Sequence, residues 1–377
     1  MAGSVSGKSN QLAYEPFEKM QQFMVDVFTR VGVPEEDAKI CAEVLIEADK
    51  RGIDSHGVGR FRTIYIDRIK AGVQNPVTNF EILREGPTTA VVDGHNGMGH
   101  VVGKKSMALA IEKARQFGLG MVVARDSTHY GIAGYYALMA AANDMIGITG
   151  TNARPSIAPT FGVENMLGTN PLVFGMPTDE DFAFCIDCAT STTQRGKIEL
   201  YEREGRQMPP GWVIDQQGKT RTDPAEVLRG LNSGECALTP LGGIGEDMAG
   251  YKGYGYATVV EILSSALQTG LFLKDLTDVG SDGSKIPSRL GHFFMAINIS
   301  SFTEPDGFKK HTGEILRQLR SSKKAPGQGR IYTAGEKEYL TWLERKDKGV
   351  PLNPVMQNII KKTRDEYGLF QHRFSFE

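Results

Sequence analysis

Cysteine is scarce in this chain, and no stretch is apolar for long enough to cross a membrane. The 377 residues include 4 cysteines, too few for a disulfide framework. The apolar runs fall short of the ~20 residues of a membrane-spanning helix, and the small, polar residues 1–11 lack the apolar segment of a signal peptide. We therefore expect a cytoplasmic protein with a disordered tail at residues 1–11.

An excess of charge of one sign is also missing. Lysine and arginine number 43 and aspartate and glutamate 45, which gives a formal net charge of −2. Such a chain has no strong field to attract nucleic acid or an anionic membrane. Cys185 and Cys188 have the spacing of half a zinc site, but Cys41 and Cys236 do not supply the other half. The sequence thus predicts a small-molecule partner and no metal, nucleic acid or membrane.

Glycine and alternating secondary structure are what the chain has in abundance. The 44 glycines cluster in short loops between apolar runs, a pattern typical of close backbone approaches to a ligand. Apolar residues recur at helical spacing over residues 14–72, strands alternate with helices over 76–299, and charged helices follow over 306–367. A chain of 377 residues is long for one core, so two or three domains are expected.

A histidine lies at the junction of two predicted elements. Residues 120–124 predict a buried strand, residues 135–143 predict a helix, and His129 lies between them, just before Gly131 and Gly134. A side chain at a strand end can be held by rigid elements while its ring faces a cleft. His129 is therefore a candidate for proton transfer, with a core histidine whose nitrogens are satisfied as the alternative.

A second histidine lies four residues before an arginine. If the helix predicted for residues 61–70 begins near Ser55, His56 and Arg60 project from one face of it. A guanidinium grips a carboxylate through two parallel hydrogen bonds, which would orient an acid substrate beside a general acid or base. The alternative is an ordinary helix start, capped by Asp54 or Ser55.

Gly97 and Gly99 belong to a pattern close to a dinucleotide-binding fingerprint. They lie between a strand predicted at residues 88–93 and a helix predicted at 101–117, and the next strand ends near Asp126. In a Rossmann fold such glycines let a pyrophosphate approach a helix N-terminus. Because the third glycine is missing at the helix start, a structural loop is favoured, and a Rossmann phosphate loop is the alternative.

Polar loops and a lysine complete the candidate regions. Two proline-braced loops, at residues 152–159 and 167–177, are unusually close together for mere connectors. Further strands are predicted at 145–151, 182–190 and 290–299, and a helix at 195–204. Residues 241–245 and 250–255 frame a predicted flexible loop, and Lys252 lies between glycines at the start of a helix predicted for 256–269. A lysine there suits a phosphate or carboxylate, with a solvated lysine as the alternative.

These stretches match, in order, the motifs of one known family. The motifs are Asp-Ser-His-Gly at 54–57, Ser-Thr-His-Tyr-Gly at 127–131, Thr-Asn at 151–152, Ala-Pro at 158–159, Gly-Thr-Asn-Pro at 168–171, Asp-Cys-Ala-Thr-Ser at 187–191, Arg-Gly-Lys at 195–197 and the glycine-rich 250–255. Over residues 14–350 the chain resembles the malate/L-lactate dehydrogenase family of NAD(P)-dependent enzymes, which includes sulfolactate, ureidoglycolate and 2,3-diketogulonate dehydrogenases.

The resemblance implies a fold of the α/β class. A mixed-sheet, non-Rossmann dinucleotide-binding domain is expected at residues 76–304, flanked by a helical domain built from residues 12–75 and 305–377, and the expected assembly is a homodimer. His129 and His56 would line the substrate site, either of them serving as acid/base. The residues expected along the cofactor, NAD or NADP, are Thr151, Asn152, Pro159, Gly168, Asn170, Asp187, Ala189, Thr190, Ser191, Lys197, Lys252, Gly335 and Glu336.

Substrate binding is implied for Arg60, which would hold a carboxylate, and for Ser55. Where the family commonly has a tyrosine four residues after the arginine, this chain has Ile64 followed by Tyr65, which we take as the counterpart. Before the glycine-flanked lysine the family commonly has a histidine, and this chain has Tyr251.

The implied reaction is hydride transfer between C4 of a nicotinamide and C2 of a 2-oxo acid, with an imidazole exchanging the proton on the 2-hydroxyl. Malate and oxaloacetate are the expected pair, and Arg154 is the candidate cation for their second carboxylate. An NADPH-dependent reductase of cyclic imines and a dinucleotide-binding sensor without turnover stay open as alternatives. A metal hydrolase is disfavoured, because none of the 7 histidines form a His-x-x-x-His pair.

Overall fold

The computed structural model describes residues 12–377, so the tail predicted to be disordered lies outside the described residues. The chain forms two compact units. Unit 1 combines the chain up to Val77 with Gly335–Glu377, and unit 2 comprises Thr78–Ala334.

The N-terminal part of unit 1 is mostly helical. In chain order it contains β1 (Ala13–Glu15), α1 (Phe17–Arg30), α2 (Glu35–Lys50), α3 (Val58–Arg60), a π-helical turn (Phe61–Ile66) and α4 (Asp67–Lys70). α1 buries Met20, Met24 and Val27, whose spacing of three and four residues places them on one face. α2 begins directly after Pro34 with acidic residues in its first turn, as the sequence predicts.

Unit 2 is built on a seven-stranded sheet. Its elements are β2 (Glu81–Glu85), β3 (Thr89–Asp93), α5 (Gly99–Phe117), β4 (Leu119–Ser127), α6 (Gly134–Ala141), β5 (Met145–Thr151), β6 (Leu172–Met176), β7 (Phe184–Cys188), α7 (Arg195–Arg203), β8 (Val213–Asp215), α8 (Pro224–Ser233), β9 (Cys236–Leu238), α9 (Gly250–Leu263), a 3₁₀ turn (Leu273–Asp275), β10 (Leu290–Asn298), a second 3₁₀ turn (Ile299–Ser301) and α10 (Pro305–Ser321). The strand order is β2-β3-β4-β10-β5-β6-β7. β3 and β4 run parallel, and the other neighbours run antiparallel. The predicted mixed, non-Rossmann sheet is thus confirmed.

The rest of unit 1 comes from the other chain end. It contains α11 (Glu336–Arg345), β11 (Val350–Leu352) and α12 (Pro354–Glu366), and β11 pairs antiparallel with β1. A helical unit built from both chain ends is the predicted arrangement. Its boundary differs from the predicted one, because residues 305–334 belong to unit 2, where Arg317 on α10 pairs with Asp179. The roles predicted for the two parts stay predictions.

Apolar runs predicted five of the seven strands of the large sheet. β5 has the predicted bounds, and β3, β4, β7 and β10 differ from the predicted strands by a few residues at their ends. β2 was not predicted, and β6 lies within the segment 167–177 that was predicted as a polar loop. Residues 250–255, predicted to border a flexible loop, form the first turns of α9, which ends at Leu263 rather than at residue 269. The glycines permit close packing, since a Cβ on Gly253 would lie 2.2 Å from the carbonyl oxygen of Leu241.

The cysteines behave as small hydrophobic residues. Cys41 and Cys236 are buried, Cys185 and Cys188 are half-buried, and all four are free thiols. Within residues 12–377, no helix is long and apolar enough to cross a membrane. Over the same residues, no group of three or more His, Cys, Asp or Glu side chains is arranged to hold a metal ion.

Candidate active site

His129 lies on a loop whose two flanking residues are buried. β4 ends at Ser127 and α6 begins at Gly134, so the loop connects the sheet to a helix. Thr128 and Tyr130 are 1% and 3% exposed, whereas His129 between them is half-buried. The structure thus places His129 at the predicted strand end, partly accessible and supported on both sides.

Thr128 ties this loop to the start of α5. Its Oγ1 donates to the carbonyl oxygen of Gly97 at 2.8 Å and accepts from the N–H of Gly99 at 2.9 Å. α5 comes so close that a Cβ on Gly99 would lie 2.2 Å from the carbonyl oxygen of Thr128 and 2.5 Å from that of His129. Gly99 therefore permits the helix to pack against the loop, and Gly97 permits the close approach of Thr78, to which a Cβ on Gly97 would lie within 2.9 Å. The alternative of a Rossmann phosphate loop is wrong.

Gly99→Ala is expected to lower both stability and turnover, because the new methyl group would displace the backbone at Thr128 and His129. We expect a loss of about 1–3 kcal/mol in the free energy of unfolding, as for other overpacked sites. Misplacement of His129 should lower kcat by about 10-fold or more. Chemical denaturation and steady-state kinetics measure the two effects.

Gly307→Ala is the matched control for this substitution. Gly307 also lies in the first turn of a helix, α10, but an added Cβ there meets nothing within 4 Å. Equal stability and equal kcat in the two variants would contradict the close approach at Gly99.

Tyr130 anchors the other side of the loop. Its ring stacks on Tyr136, with 4.8 Å between ring centres, and the hydroxyl of Tyr136 donates to the carbonyl oxygen of Tyr130 at 2.5 Å. The N–H of Gly131 donates to Nδ1 of His129 at 3.3 Å. A neutral His129 ring with this contact carries its hydrogen on Nε2. Nε2 is therefore the nitrogen that has a hydrogen to donate.

Thr151 and Asn152, predicted along the cofactor, are built into the sheet. Thr151 Oγ1 lies 2.7 Å from Nδ1 of His292 and 3.0 Å from the carbonyl oxygen of Gly291. Asn152 is fully buried, and its Oδ1 accepts from the N–H of Gly291 at 2.8 Å while its Nδ2 donates to the carbonyl oxygen of Leu271. The side chains of both residues therefore hold the end of β5 against Gly291 on β10, and Asn152 also holds it against the loop at Leu271.

A second cluster joins predicted cofactor loops to α9. Asn170 is fully buried with φ 34°, and its Nδ2 donates to Oε2 of Glu261 at 2.7 Å. Thr190 Oγ1 donates to the carbonyl oxygen of Asn170 at 3.0 Å. Gly168 approaches Ala153 so closely that a Cβ would lie 2.3 Å from the carbonyl oxygen of Ala153. The structure therefore brings three of the predicted loops together.

An apolar cleft of about 660 Å³ lies beside this cluster. The residues that line it include Pro159, Leu167, Tyr254, Glu261, Ile262 and Phe272. Its volume is within the ~300–1,000 Å³ of small-molecule sites. Burial raises the pKa of Glu261, and hydrogen bonds from Leu273 and Asn170 oppose the shift. Oδ1 of Asn170 is buried and accepts no hydrogen bond from the described residues. An apolar cleft of this size can take an aromatic ring, such as a dinucleotide carries.

Two lysines predicted along the cofactor lie at helix starts. Lys252 is exposed in the first turn of α9, and Lys197 is exposed in the first turn of α7. The predicted helix start at Lys252 is confirmed, although the helix begins at Gly250 rather than at residue 256, and the lysine is accessible. A helix N-terminus with an adjacent cation suits a phosphate.

Asp187 connects β7 to the segment that follows His129. Its carboxylate Oδ2 accepts from the N–H of Gly134, the first residue of α6, at 2.7 Å. Ala189, half-buried, and Ser191, buried, follow on the same chain. Ser191 Oγ donates to the carbonyl oxygen of Thr193 at 2.6 Å. Their predicted role beside the cofactor stays a prediction.

In unit 1, His56 lies in the turn before α3 and Arg60 is the last residue of α3. Ser55 Oγ lies 2.9 Å from Nδ1 of His56, and Nε of Arg60 donates to the carbonyl oxygen of Ser55 at 2.7 Å. Because α3 begins at Val58, the condition of a helix that starts near Ser55 and carries both side chains is not met. Hydrogen bonds through Ser55, and not helical spacing, connect the imidazole and the guanidinium.

Asp49, which the sequence analysis missed, supports this turn. It is 3% exposed, and its Oδ2 accepts from the N–H of Val58 at 2.8 Å, the cap predicted for Asp54 or Ser55. A Cβ on Gly57 would lie 2.0 Å from Oδ1 of Asp49, which explains the glycine after the histidine. No sequence pattern indicated that Asp49 is buried, because an aspartate in the last turn of a helix is ordinarily exposed.

Burial sets the protonation states of His56 and Asp49. Loss of solvent, helped by the charge of Arg60, lowers the pKa of His56 to about 4, so its imidazole is neutral at neutral pH. Burial raises the pKa of Asp49 to about 8, and the N–H of Val58 and the charge of Arg345 oppose this shift. Asp49 therefore exchanges its proton in the range where most enzymes work.

Asp49→Asn is expected to change the pH dependence of stability. A carboxyl group whose pKa rises on folding from 3.8 to about 8 contributes stability that is complete below 3.8 and is lost as the pH rises through about 8. Asparagine does not ionise, so the variant should become more stable relative to wild type as the pH rises. Denaturant midpoints across the range measure this, with the exposed Asp347→Asn as control. A constant difference between variant and wild type would contradict the raised pKa.

Tyr65 and Arg154 each contact a neighbouring side chain. Tyr65 is fully buried and packs edge-to-face on Phe28, with 6.3 Å between ring centres, and its predicted contact with the substrate stays a prediction. Arg154, in unit 2, is exposed and pairs with Asp278 at 3.1 Å. A substrate carboxylate at Arg154 would have to replace this carboxylate.

Gly335 and Glu336 belong to unit 1. Gly335 has φ 89°, a left-handed conformation that favours glycine, directly before α11. Glu336, the first residue of α11, is 2% exposed. Their role beside the cofactor stays a prediction.

Comparison with known proteins tests the resemblance as a whole. The family model for malate/L-lactate dehydrogenase matches residues 16–361. A malate dehydrogenase of Pyrococcus horikoshii is 46% identical over 337 residues, which cover 89% of this chain and 91% of that protein. An NAD(+) ureidoglycolate dehydrogenase of Escherichia coli O157:H7 is 30% identical over 335 residues, 89% of this chain and 91% of that protein. 

The fold agrees with the sequence match. The crystal structure of malate dehydrogenase from Entamoeba histolytica, 46% identical, has a TM-score of 0.91 to this chain and covers 95% of it, with 99% of that chain covered in turn. The expectation drawn from the collinear motifs is confirmed, and the chain belongs to the malate/L-lactate dehydrogenase family.

Proposed function

We propose that this protein transfers hydride between NAD(P)H and a 2-oxo acid, with malate and oxaloacetate the expected pair. The names of the relatives support malate and oxaloacetate as the substrates and NAD as a cofactor. Two of the relatives reported above are malate dehydrogenases, and one is an NAD(+)-dependent enzyme. The observation that carries the proposal is the loop of His129. It presents a partly accessible imidazole between two anchored residues, with Nδ1 accepting from Gly131.

The nicotinamide, when bound, supplies or takes the hydride. We assign the cofactor to unit 2, where the apolar cleft at Leu167 and Ile262 takes a ring. Lys252 and Lys197 are the cations for the phosphates.

A proton has to reach the carbonyl oxygen at C2 as that carbonyl is reduced, and it leaves the hydroxyl in the reverse direction. We assign this exchange to Nε2 of His129. His56, whose pKa of about 4 keeps it neutral, donates or accepts a hydrogen bond at a substrate oxygen and orients it. The two imidazoles therefore differ in role, although both contact the substrate in this proposal.

Arg60→Lys is expected to raise KM for the 2-oxo acid by about 10-fold, with a smaller change in kcat. The guanidinium forms two parallel hydrogen bonds with a carboxylate, which an ammonium cannot reproduce. Initial rates at varied acid concentration separate the two parameters. Arg68→Lys, on α4, is the control. An unchanged KM in Arg60→Lys would remove Arg60 from the substrate site.

The second carboxylate of malate needs another cation, and Arg154 stays the proposed one. Its partner Asp278 is 29% exposed at the side chain, so the pair is open to exchange with a dicarboxylate.

The protein is also proposed to be a cytoplasmic homodimer. α9 presents Tyr256 and Val259 to solvent, each about half exposed, and a second copy of the chain would cover this apolar surface. Four free thiols suit a reducing compartment. Light scattering should give a mass of twice 41.3 kDa, and a monomer would contradict the dimer.

A panel of 2-oxo acids, each with NADH and with NADPH, tests the function. Oxaloacetate should be reduced fastest, followed through the loss of absorbance of the reduced cofactor. Preferential reduction of a cyclic imine would favour an imine reductase. Tight cofactor binding with no oxidation by any acid would indicate a sensor.

A further inference from the structure

His292 is a buried imidazole to which the proposed mechanism gives no part. It lies on β10, between β4 and β5, and is fully buried beside Phe293 and Phe294. A polar ring in an apolar strand costs free energy unless its nitrogens are engaged. Loss of solvent lowers the pKa of His292 to about 3, against a weak opposing effect of the Thr128 carbonyl. The ring is therefore a neutral, fixed group and not a proton carrier at neutral pH.

Two contacts connect this ring to both parts of the proposed site in unit 2. Nδ1 lies 2.7 Å from Oγ1 of Thr151, at the end of β5. The ring lies parallel to that of Tyr130, at 3° between planes and 4.4 Å between centres. Thr151 leads into the proposed cofactor loop, and Tyr130 directly follows His129. His292 thus connects the end of β5 to the loop that carries His129.

The stacked residue carries a peptide group that His129 uses. The N–H of Gly131, which donates to Nδ1 of His129, belongs to the peptide that follows Tyr130. A shift of the Tyr130 backbone that takes this N–H away from Nδ1 would remove a hydrogen bond that favours hydrogen on Nε2 of His129. Tyr136 holds the opposite side of the same residue through its ring and its hydroxyl.

We propose that His292 is a positioning residue that fixes the orientation and the tautomer of His129 through Tyr130. This inference rests on the proposed function, in which Nε2 of His129 exchanges the proton. The bond to Thr151 sets the angle of the His292 ring, and the stack transmits that angle to Tyr130. Because misplacement of a catalytic group by about 1 Å can cost about 10²-fold in rate, the effect is large enough to measure.

Two variants separate the hydrogen bond between His292 and Thr151 from the stack of His292 on Tyr130. His292→Phe keeps a ring against Tyr130 and loses the hydrogen bond to Thr151, whereas Tyr130→Leu keeps that bond and loses the stack. Both should lower kcat by about 10-fold or more, with KM for NADH changed by about twofold or less. His292→Asn, which restores a polar group near Thr151, should recover part of the kcat lost in His292→Phe.

Val123→Ala is the control for a general loss of packing in the same sheet. Val123 lies on β4 and packs on Val260 and Phe293, away from the stack. The Val123→Ala variant should be less stable than wild type, while its kcat should stay within about twofold of the wild-type value. If His292→Phe and Tyr130→Leu keep the kcat of Val123→Ala, the positioning role is overturned.

A double-mutant cycle shows whether His292 acts through His129. His292→Phe should cause no further loss of kcat in a His129→Ala protein, because the group that it positions is gone. A loss in that background as large as in wild type would overturn the inference.

Tautomer measurement by NMR decides the inference without turnover. In a protein with ¹⁵N-labelled histidine, long-range ¹H–¹⁵N spectra should show His129 with its hydrogen on Nε2, and a mixture of tautomers in His292→Phe and Tyr130→Leu. The signals of His129 are identified by their loss in His129→Asn. An unchanged tautomer in both variants would overturn the inference, whereas full activity of His129→Ala would remove the proposed function and leave this test valid.

Discussion

His129→Ala is expected to lower kcat for reduction of the 2-oxo acid by about 10³-fold, within the ~10²–10⁴ that general acid–base catalysis contributes. The variant removes Nε2, the nitrogen that carries the exchangeable hydrogen, but leaves the anchors at Thr128 and Tyr130 in place. Folding and NADH binding should therefore be close to those of wild type. Steady-state rates, a thermal melt and a fluorescence titration with NADH measure the three quantities.

His311→Ala is the matched control for His129→Ala. His311 is exposed on α10 and takes no part in the proposed site, so its removal should change kcat by less than about twofold. A His129→Ala protein that turns over at the rate of His311→Ala would refute the assignment of His129.

His56→Ala should lower kcat by about 10²-fold, a smaller loss than for His129→Ala. A pKa of about 4 makes His56 neutral at neutral pH, so it supplies a hydrogen bond and not the transferred proton. Its removal should also raise KM for the acid, because Arg60 loses its neighbour in the turn that Ser55 organises. Kinetics at varied acid concentration measure both parameters.

The same substitution has a consequence for stability. A histidine whose pKa falls on folding from 6.5 to about 4 causes the protein to lose stability as the pH drops through that interval. His56→Ala should therefore lose less stability than wild type on acidification. A wild-type kcat in His56→Ala, or an identical loss of stability on acidification, would contradict the role or the environment assigned to His56.

Local patterns were sufficient to predict five of the seven strands of the large sheet and the setting of His129. β5 and β10 are mostly apolar runs, and His129 lies shortly after another such run, at the end of β4. β6 was missed because prolines and polar residues around it indicate a loop. The same local patterns misplaced α9, since glycines at 250, 253 and 255 indicate a loop. Tertiary packing determines that element, because the helix has to approach the carbonyl oxygen of Leu241.

Long-range pairing explains what the sequence did not reveal. β10 follows β5 in the chain by more than a hundred residues and yet lies between β4 and β5, so nothing local brings His292 to Thr151 and Tyr130. Asp49 was missed for a similar reason. Its carboxylate matters only once the turn at Gly57 folds back over the end of α2.

In the proposed function, His129 and His56 both contact the 2-oxo acid beside the nicotinamide. A crystal structure with NADH and oxamate, an unreactive 2-oxo acid analogue, tests it most directly. The account predicts an oxamate oxygen within about 3.2 Å of Nε2 of His129 and of the His56 ring, with Arg60 on the carboxylate. A bound oxamate with either imidazole out of reach would contradict it.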